Sequence, residues 1–134
     1  MGTTIHHVAI VVEDLDQALT FYRDTLGLDM TGRQEVPDEG VETAFFRTGE
    51  GKIELVRPLE ADSGVARFLR KRGEGLHHLC LHVGDIDAVV ARLRAAGAQL
   101  LSERPQLRED GTRYIFIHPR SAHGVLLELY EVAR

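Results

Sequence analysis

The sequence is poor in several features that mark specialised classes of protein. It has one cysteine, Cys80, in 134 residues, so no disulfide can form within the chain, and this composition fits a reducing compartment. No apolar run approaches the roughly 20 residues that a membrane-spanning helix needs. The N-terminal segment lacks the basic stretch and the small-residue cleavage site of a secretory signal. We therefore expect a soluble cytoplasmic protein.

A surplus of positive charge is also absent. The formal net charge is −5, which argues against binding to nucleic acid or to a bulk membrane surface, because both favour a basic face. Apolar residues make up 43% of the chain and charged residues 28%, as in ordinary soluble proteins. A chain of 134 residues can bury a core without a disulfide framework, so we expect a single domain over residues 1–134.

The sequence does contain an internal repeat. Residues 5–27 and 76–98 align at an offset of 71 residues, and the aligned positions mostly exchange one apolar residue for another. Identical residues anchor the alignment: His6-His7 with His77-His78, Val12 with Val83, Asp14 with Asp85, Asp16 with Asp87, and Arg23 with Arg94. Self-similarity at a fixed offset indicates that one structural unit is used twice.

Each copy of the repeat predicts a strand, a helix and three further strands. The first strand (5–12 or 76–83) is followed by an aspartate that suits a helix N-cap, then by apolar residues at helical spacing, and Gly27 or Gly97 suits the helix end. The later strands are predicted at 28–36, 40–47 and 51–57 in the first copy, and at 99–107, 112–118 and 124–131 in the second.

The fold class predicted from this pattern is α+β with two βαβββ modules. Module one covers residues 1–61, a linking helix covers 62–72, and module two covers 73–134. Two such modules can form a shared concave, barrel-like sheet. A site on that concave face would take its ligands from both modules.

Four residues recur at equivalent places in the two modules. His7 and His78 lie on the first strand of each module, and Glu54 and Glu128 lie on the last strand. The His-to-Glu separations are 47 and 50 residues, so the duplication carries the pair with it. Because side chains alternate along a strand, all four point away from the apolar rows that suit packing against a helix.

The chemistry of these four side chains suits a divalent metal ion. A carboxylate in an apolar setting must be paired, protonated or bound to metal. Two imidazole nitrogens and two carboxylate oxygens match a borderline-to-hard divalent ion that keeps open positions for water or substrate. Any one such residue alone is more often structural or solvated, but the symmetric set of four favours metal. By strand parity, His6 and His77 face the helices and are predicted to be structural.

Three stretches connect the chain to a known family: HHVAIVVEDLDQALTFYRDTLGL, ELVRPLEADSGVARFLRKRGEGLHHLCLHVGDIDA and IFIHPRSAHGVLLEL. They resemble the vicinal oxygen chelate superfamily, and within it most closely the methylmalonyl-CoA epimerase family. The resemblance covers nearly the whole chain. It implies a metal site at His7, Glu54, His78 and Glu128, a homodimer, and interconversion of (R)- and (S)-methylmalonyl-CoA. The metal expected is Co²⁺ first, with Mn²⁺, Ni²⁺, Fe²⁺ or Zn²⁺ as alternatives.

The implied reaction removes and returns an α-proton through a metal-stabilised enolate, and it needs bases on both faces of the carbon. Glu128 is predicted to be a ligand and one base, and Glu42 to be the second base. Some relatives place a glutamate after Gly-Val-X, whereas Glu42 follows Gly40-Val41 directly. A shift of one residue moves a side chain to the other face of a strand, unless a gap or bulge intervenes.

The phosphates of CoA require local positive charge. The densest basic stretch is RFLRKR at 67–72, from which Arg70 and Lys71 are predicted to bind substrate, together with Arg120. A solvated helix face explains each of these residues equally well when it is taken alone.

Two other functions stay open at this point. A glyoxalase I (lactoylglutathione lyase) would use a similar ligand set on a glutathione hemithioacetal. A non-catalytic small-molecule binding or resistance protein of the same fold usually lacks the four ligands.

Overall fold

The computed structural model describes residues 2–133. In its first half, the linking helix included, the order of elements is β1 (Thr4–Val11), α1 (Leu15–Leu19), β2 (Asp29–Val36), β3 (Val41–Thr48), β4 (Gly51–Pro58) and α2 (Gly64–Arg72). In the second half the order is β5 (Gly75–His82), α3 (Ile86–Ala95), β6 (Gln106–Leu107), β7 (Arg113–Ile117) and β8 (Leu127–Glu131). Both halves follow the βαβββ order, and the predicted α+β class is confirmed.

The strands pair in the same way in both halves. In the first half the order of neighbours is β2-β3-β4-β1, with β1 parallel to β4 and β3 antiparallel to both β2 and β4. In the second half the order is β6-β7-β8-β5, with β5 parallel to β8 and β7 antiparallel to both β6 and β8. In each half, therefore, the first strand lies beside the last.

The helix boundaries come from side chains that the repeat shares. The carboxylates of Asp14 and Asp85 accept hydrogen bonds from the backbone N–H groups of Gln17 and Ala88, each at 3.1 Å, which satisfies donors that have no partner within the helix. The chain leaves each helical segment through a glycine at positive φ, +82° at Gly27 and +80° at Gly97. The predicted caps and helix ends are confirmed.

Each half has its own core between the helix and one face of the sheet. In the first half the buried members are Val12, Leu15, Leu19, Ala44, Phe46 and Leu55. In the second half they are Val83, Ile86, Val90, Ile115, Ile117 and Leu129. Alternate residues of β3, β4, β7 and β8 supply the strand members of these clusters, and Ile10 of β1 and Leu81 of β5 pack against them, as the strand parity predicts. The opposite face of these strands is left for the histidines and glutamates.

Three predicted elements differ in the structure. The first helix continues beyond Leu19 as a π-helix over Thr20–Thr25. The predicted strand 99–107 is reduced to Gln106–Leu107 and an isolated bridge at Leu100. The side chain of Ser102 donates a hydrogen bond to the carbonyl of Arg104, and Pro105 has no N–H to offer a ladder, so the strand is interrupted there. The predicted strand 124–131 begins only at Leu127, and a 3-10 helix over Pro119–Ala122 lies in the connection before it.

The described chain divides into two compact units by its internal contacts. One unit covers residues 7–77, and the other joins residues up to His6 with those from His78 onward. The change of unit falls inside β1 and β5 rather than at the predicted module ends. His6 accordingly stacks on Tyr130, with ring centroids 4.3 Å apart. Within residues 2–133, no helix has the length and apolar character that crossing a membrane requires.

Candidate functional site

The first histidine–glutamate pair is formed in the unit 7–77. Strands β1 and β4 run parallel with Ala9 opposite Glu54, so His7, two residues earlier on β1, faces the same side as the glutamate. The Nε2 atom of His7 lies 3.5 Å from Oε1 of Glu54, and both side chains are largely buried. The sequence prediction that these residues share a face is confirmed for this pair.

The second pair repeats this arrangement in the other unit. Strands β5 and β8 run parallel with Cys80 opposite Glu128, and His78 again lies two residues before the residue that faces the glutamate. The Nε2 atom of His78 lies 3.1 Å from Oε1 of Glu128, whose side chain is only 3% exposed. The duplication therefore reproduces the register and the imidazole–carboxylate contact as well as the residue types.

A phenylalanine borders each glutamate on the neighbouring strand. Phe45 is opposite Glu54 across β3 and β4, and Phe116 is opposite Glu128 across β7 and β8. The Phe116 ring meets the His78 ring edge to face at 5.4 Å. These aromatic walls lower the local polarity, which strengthens electrostatic interactions of the carboxylates. These two residues were not predicted from the sequence, although the 71-residue offset of the repeat relates Phe45 to Phe116.

The donor sets of the two pairs fit a divalent metal ion. Each pair presents one imidazole nitrogen and one carboxylate oxygen, which are the ligand types that Co²⁺, Mn²⁺, Ni²⁺, Fe²⁺ and Zn²⁺ accept. Each imidazole faces its carboxylate directly. A buried carboxylate requires such a partner, because burying an uncompensated charge is costly.

Arg108 is a site residue that the sequence analysis missed. Its Nη2 atom lies 3.5 Å from Oε2 of Glu128, and its guanidinium lies over the Tyr114 ring at 3.9 Å. The backbone around it forms a tight turn, in which Arg108 N–H donates to Thr112 O at 2.9 Å and Gly111 N–H donates to Arg108 O at 3.0 Å. Nothing in the sequence distinguishes this arginine from others in the polar segment after the second helix.

Glu42 lies on the other face of the sheet from Glu54. It is opposite Arg57 across β3 and β4, while its neighbour Thr43 is opposite Val56 and therefore shares the face of Glu54. The carboxylate of Glu42 accepts hydrogen bonds from Arg57 Nη2 at 3.0 Å and from Arg33 Nε at 3.1 Å. Burial raises the pKa of Glu42, but the two arginines outweigh that effect and lower the pKa below its ordinary value. This arrangement does not favour a catalytic base, and that role stays a prediction.

The predicted CoA-binding residues are placed as exposed cations. Arg70 and Lys71 lie in the last turn of α2, where the guanidinium of Arg70 donates to the carbonyl of Ala61. Arg120 lies in the 3-10 helix after β7, and its backbone N–H donates to His118 Nδ1 at 2.9 Å. Their positions leave the side chains available to phosphate, and a role in binding CoA stays a prediction.

His6, His77 and Cys80 pack against side chains of their own unit. His77 meets the Phe68 ring of α2 edge to face at 4.9 Å, and His6 stacks on Tyr130. The contact of His77 with α2 agrees with the helix-side position predicted for it. The same prediction is wrong for His6, because Tyr130 shares the strand face of Glu128. Cys80 is fully buried opposite Glu128, as expected of an inert thiol that packs as a small apolar residue.

Comparison with known proteins gives one consistent assignment. Residues 6–116 match the family model of the Glyoxalase/Bleomycin resistance protein/Dioxygenase superfamily. An ethylmalonyl-CoA/methylmalonyl-CoA epimerase from Cereibacter sphaeroides is 42% identical over 130 residues, covering 96% of this chain and 97% of that protein. A lactoylglutathione lyase from Arabidopsis thaliana is more distant, at 26% identity over 93% of this chain and 43% of its own length.

The solved structures similar to this chain include methylmalonyl-CoA epimerases, as its sequence relatives do. The methylmalonyl-CoA epimerase from Mycobacterium tuberculosis superposes with a TM-score of 0.86 at 39% identity, covering 97% of this chain and 88% of that one. A methylmalonyl-CoA epimerase in complex with methylmalonyl-CoA and ammonium superposes with a TM-score of 0.86 at 35% identity, covering 98% of this chain and 95% of that one. At these identities, the chain resembles the solved epimerases in sequence as well as in fold.

Proposed function

The chain belongs to the methylmalonyl-CoA epimerase family of this superfamily, and we propose that it interconverts (R)- and (S)-methylmalonyl-CoA. The observation that carries the proposal is the buried imidazole–carboxylate contact that recurs at equivalent positions of both repeats, His7 with Glu54 and His78 with Glu128. Related structures extend to a complex with methylmalonyl-CoA, which supports an acyl-CoA substrate.

We further propose that His7, Glu54, His78 and Glu128 together hold one divalent ion. Their nitrogen and oxygen donors suit such an ion, and the repeat supplies the same two ligands twice. When bound, the ion supplies a Lewis acid for the negative charge that develops on the thioester oxygen. The preference for Co²⁺ over Mn²⁺, Ni²⁺, Fe²⁺ and Zn²⁺ stays a prediction, because these ligand types restrict the metal only loosely.

Proton transfer in this proposal uses the chain's own carboxylates. The C–H bond between the thioester carbonyl and the substrate carboxylate breaks, and the proton returns to the opposite face of the carbon. Glu128 takes or returns the proton on one face, because it is buried and held by His78 at 3.1 Å. The base for the other face remains unassigned by contact geometry, with Glu42 as the residue to test.

Binding and assembly complete the proposal. Arg70, Lys71 and Arg120 are proposed to meet the CoA phosphates, since arginine and lysine are the usual partners of phosphate groups. The homodimer and the cytoplasmic location expected from the family resemblance and the composition also belong to the proposal.

The test combines metal analysis with isotope exchange. Purified protein is stripped with a chelator, reloaded with Co²⁺ and analysed for metal per chain. It is then incubated with methylmalonyl-CoA in D₂O while α-proton exchange is followed by NMR. We expect one ion per chain and exchange that requires the ion. Two ions per chain would contradict a shared metal site, and a loaded protein without exchange would contradict the epimerase.

Matched variants sharpen this test. His7→Gln and His78→Gln remove one proposed ligand from each repeat, and each should lose the ion. His123→Asn is the control: His123 is exposed at φ +57°, a conformation that asparagine tolerates, so the metal and exchange should be retained. Turnover of a glutathione hemithioacetal without exchange would instead favour lactoylglutathione lyase, and the absence of both metal and exchange would favour a binding protein.

A further inference from the structure

Arg108 is a cation in contact with a proposed metal ligand, and the proposed proton transfer does not use it. It reaches Glu128 from the turn between β6 and β7, with 3.5 Å between Nη2 and Oε2. Its side chain is 29% exposed, whereas that of Glu128 is 3% exposed, so the guanidinium lies between the buried carboxylate and solvent. A ligand that approaches Glu128 from solvent would therefore contact the guanidinium of Arg108.

The guanidinium is held in place by aromatic rings and by its backbone. It lies 3.9 Å from the Tyr114 ring centroid and 5.9 Å from the Tyr130 ring centroid, and both contacts are attractive for a cation. The turn is fixed by its own backbone, in which Arg108 N–H donates to Thr112 O at 2.9 Å and Gly111 N–H donates to Arg108 O at 3.0 Å. Gly111 adopts φ +88°, and a Cβ there would come within 2.8 Å of the Ala133 side chain, so the position requires glycine. Arg108 is therefore oriented before any ligand binds.

An anionic substrate at this site needs a positively charged partner, and the guanidinium of Arg108 can supply it. Two glutamate carboxylates and one divalent ion cancel, so the metal centre has no net charge with which to attract an anion. The proposed substrate has a carboxylate on its acyl group, and its enolate carries a further negative charge. A guanidinium offers five N–H donors in a planar fork that matches both oxygens of a carboxylate.

We propose that Arg108 binds the free carboxylate of the acyl group and thereby selects thioesters of dicarboxylic acids over those of monocarboxylic acids. The proposal rests on the proposed function, because it takes an acyl-CoA as the ligand. It assigns to this arginine a role in specificity and leaves the acid–base chemistry to the glutamates. Tyr114 and Tyr130 hold the guanidinium in position.

The test measures binding rather than turnover. Metal-loaded wild-type protein and Arg108→Met are titrated calorimetrically with methylmalonyl-CoA and with propionyl-CoA, which lacks the free carboxylate. Methionine keeps a flexible side chain that packs on the tyrosines. Hydrogen bonds to charged groups are worth enough that the variant should bind methylmalonyl-CoA roughly 10- to 100-fold more weakly. Binding of propionyl-CoA and the metal content should not change.

Two further variants separate specificity from structure. Arg104→Met removes an exposed arginine from the same segment and should bind both ligands as the wild type does. Arg108→Lys keeps the charge but loses the fork, so it should recover part of the preference for methylmalonyl-CoA. Equal weakening of both ligands in Arg108→Met would assign a structural role instead and overturn the proposal.

The outcomes also distinguish this proposal from the proposed function. A wild-type protein that prefers methylmalonyl-CoA through Arg108 but exchanges no α-proton in D₂O would support the carboxylate site and overturn the epimerase. A wild-type protein that exchanges the proton but binds both thioesters equally would do the reverse.

Discussion

Three glutamates on the strands of this protein have different partners, and the partners determine what each carboxylate can do. Glu54 and Glu128 each face one histidine. Glu42 accepts hydrogen bonds from Arg33 and Arg57. A carboxylate held by two arginines is a weak base, whereas one that faces an imidazole can exchange that contact for a metal ion. The residue type alone does not separate these cases.

The ion pairs of Glu42 lead to a prediction about stability and pH. The pKa of Glu42 is lowered from its ordinary value of 4.5, so the ionised form stabilises the folded state above that pH and the contribution is lost as the pH falls through the lower folded pKa. Its side chain is 12% exposed, which limits solvent screening. Glu42→Gln should therefore lower the free energy of unfolding at pH 7 by about 1–2 kcal/mol, measured by urea denaturation.

The pH series supplies the control for this variant. The difference between wild type and Glu42→Gln should shrink as the pH falls below 4.5. Glu50→Gln, in the exposed turn between β3 and β4, should change the stability little at any pH. A large loss of α-proton exchange at unchanged stability would contradict the ion-pair interpretation and support Glu42 as the second base.

At the scale of elements, the two modules share their capping and their links between helix and sheet. Asp16 in α1 pairs with Arg33 of β2 at 2.8 Å, and Asp87 in α3 pairs with Arg113 of β7 at 2.8 Å. The aspartates are equivalent in the repeat, but the arginines come from different strands. Sequence repetition therefore predicts which helix residue is acidic, while the strand that supplies its partner depends on the packing.

The N-cap of α3 gives a prediction at this scale. Asp85→Ala removes the acceptor of the Ala88 N–H bond at 3.1 Å and should lower the free energy of unfolding by about 1 kcal/mol in urea denaturation. Asp85→Asn keeps an acceptor at the same place and should lose much less. Equal losses in both variants would show that the negative charge near the helix start matters more than the hydrogen bond.

The largest error at this scale is the strand predicted at 99–107. The segment is a weak strand candidate by sequence, with apolar residues only at Leu100, Leu101 and Leu107, and the backbone does pair with β7 where Leu101 N–H donates to Phe116 O at 2.9 Å. Pairing then stops before Pro105, where the ladder loses a donor. Local periodicity indicates where a strand can form, but the available partners decide how far it extends.

At the scale of the whole molecule, metal binding should be coupled to stability. Any ligand that binds the folded chain and not the unfolded one stabilises it by RT ln(1 + [L]/Kd), which is about 2.7 kcal/mol at 100 times Kd. We expect a chelator to lower the melting temperature and Co²⁺ to restore it, measured by thermal denaturation. Glu54→Leu and His78→Gln, which lie in different repeats and of which the first removes the oxygen donor altogether, should both abolish the response.

The two variants distinguish an ion held by both repeats from an ion held by one repeat. If only one of the two variants loses the response, the ion is held by a single His/Glu pair rather than by all four residues. Glu131→Gln offers a matched control, because this carboxylate accepts a hydrogen bond from Ile86 N–H at 2.9 Å and is not a proposed ligand. That variant should be less stable yet keep its response to the metal.

The sequence by itself determined the α+β class, the two βαβββ repeats, the helix caps and the two His/Glu pairs. It could do so because strand alternation, helical spacing and capping depend on residues close together in the chain, and because duplication made the distant pairs visible. The tertiary structure alone decided that Arg33 and Arg57 hold Glu42, that Arg108 reaches Glu128 and that β6 is short. Those contacts join side chains from separate segments without a repeated pattern, so only packing brings them together.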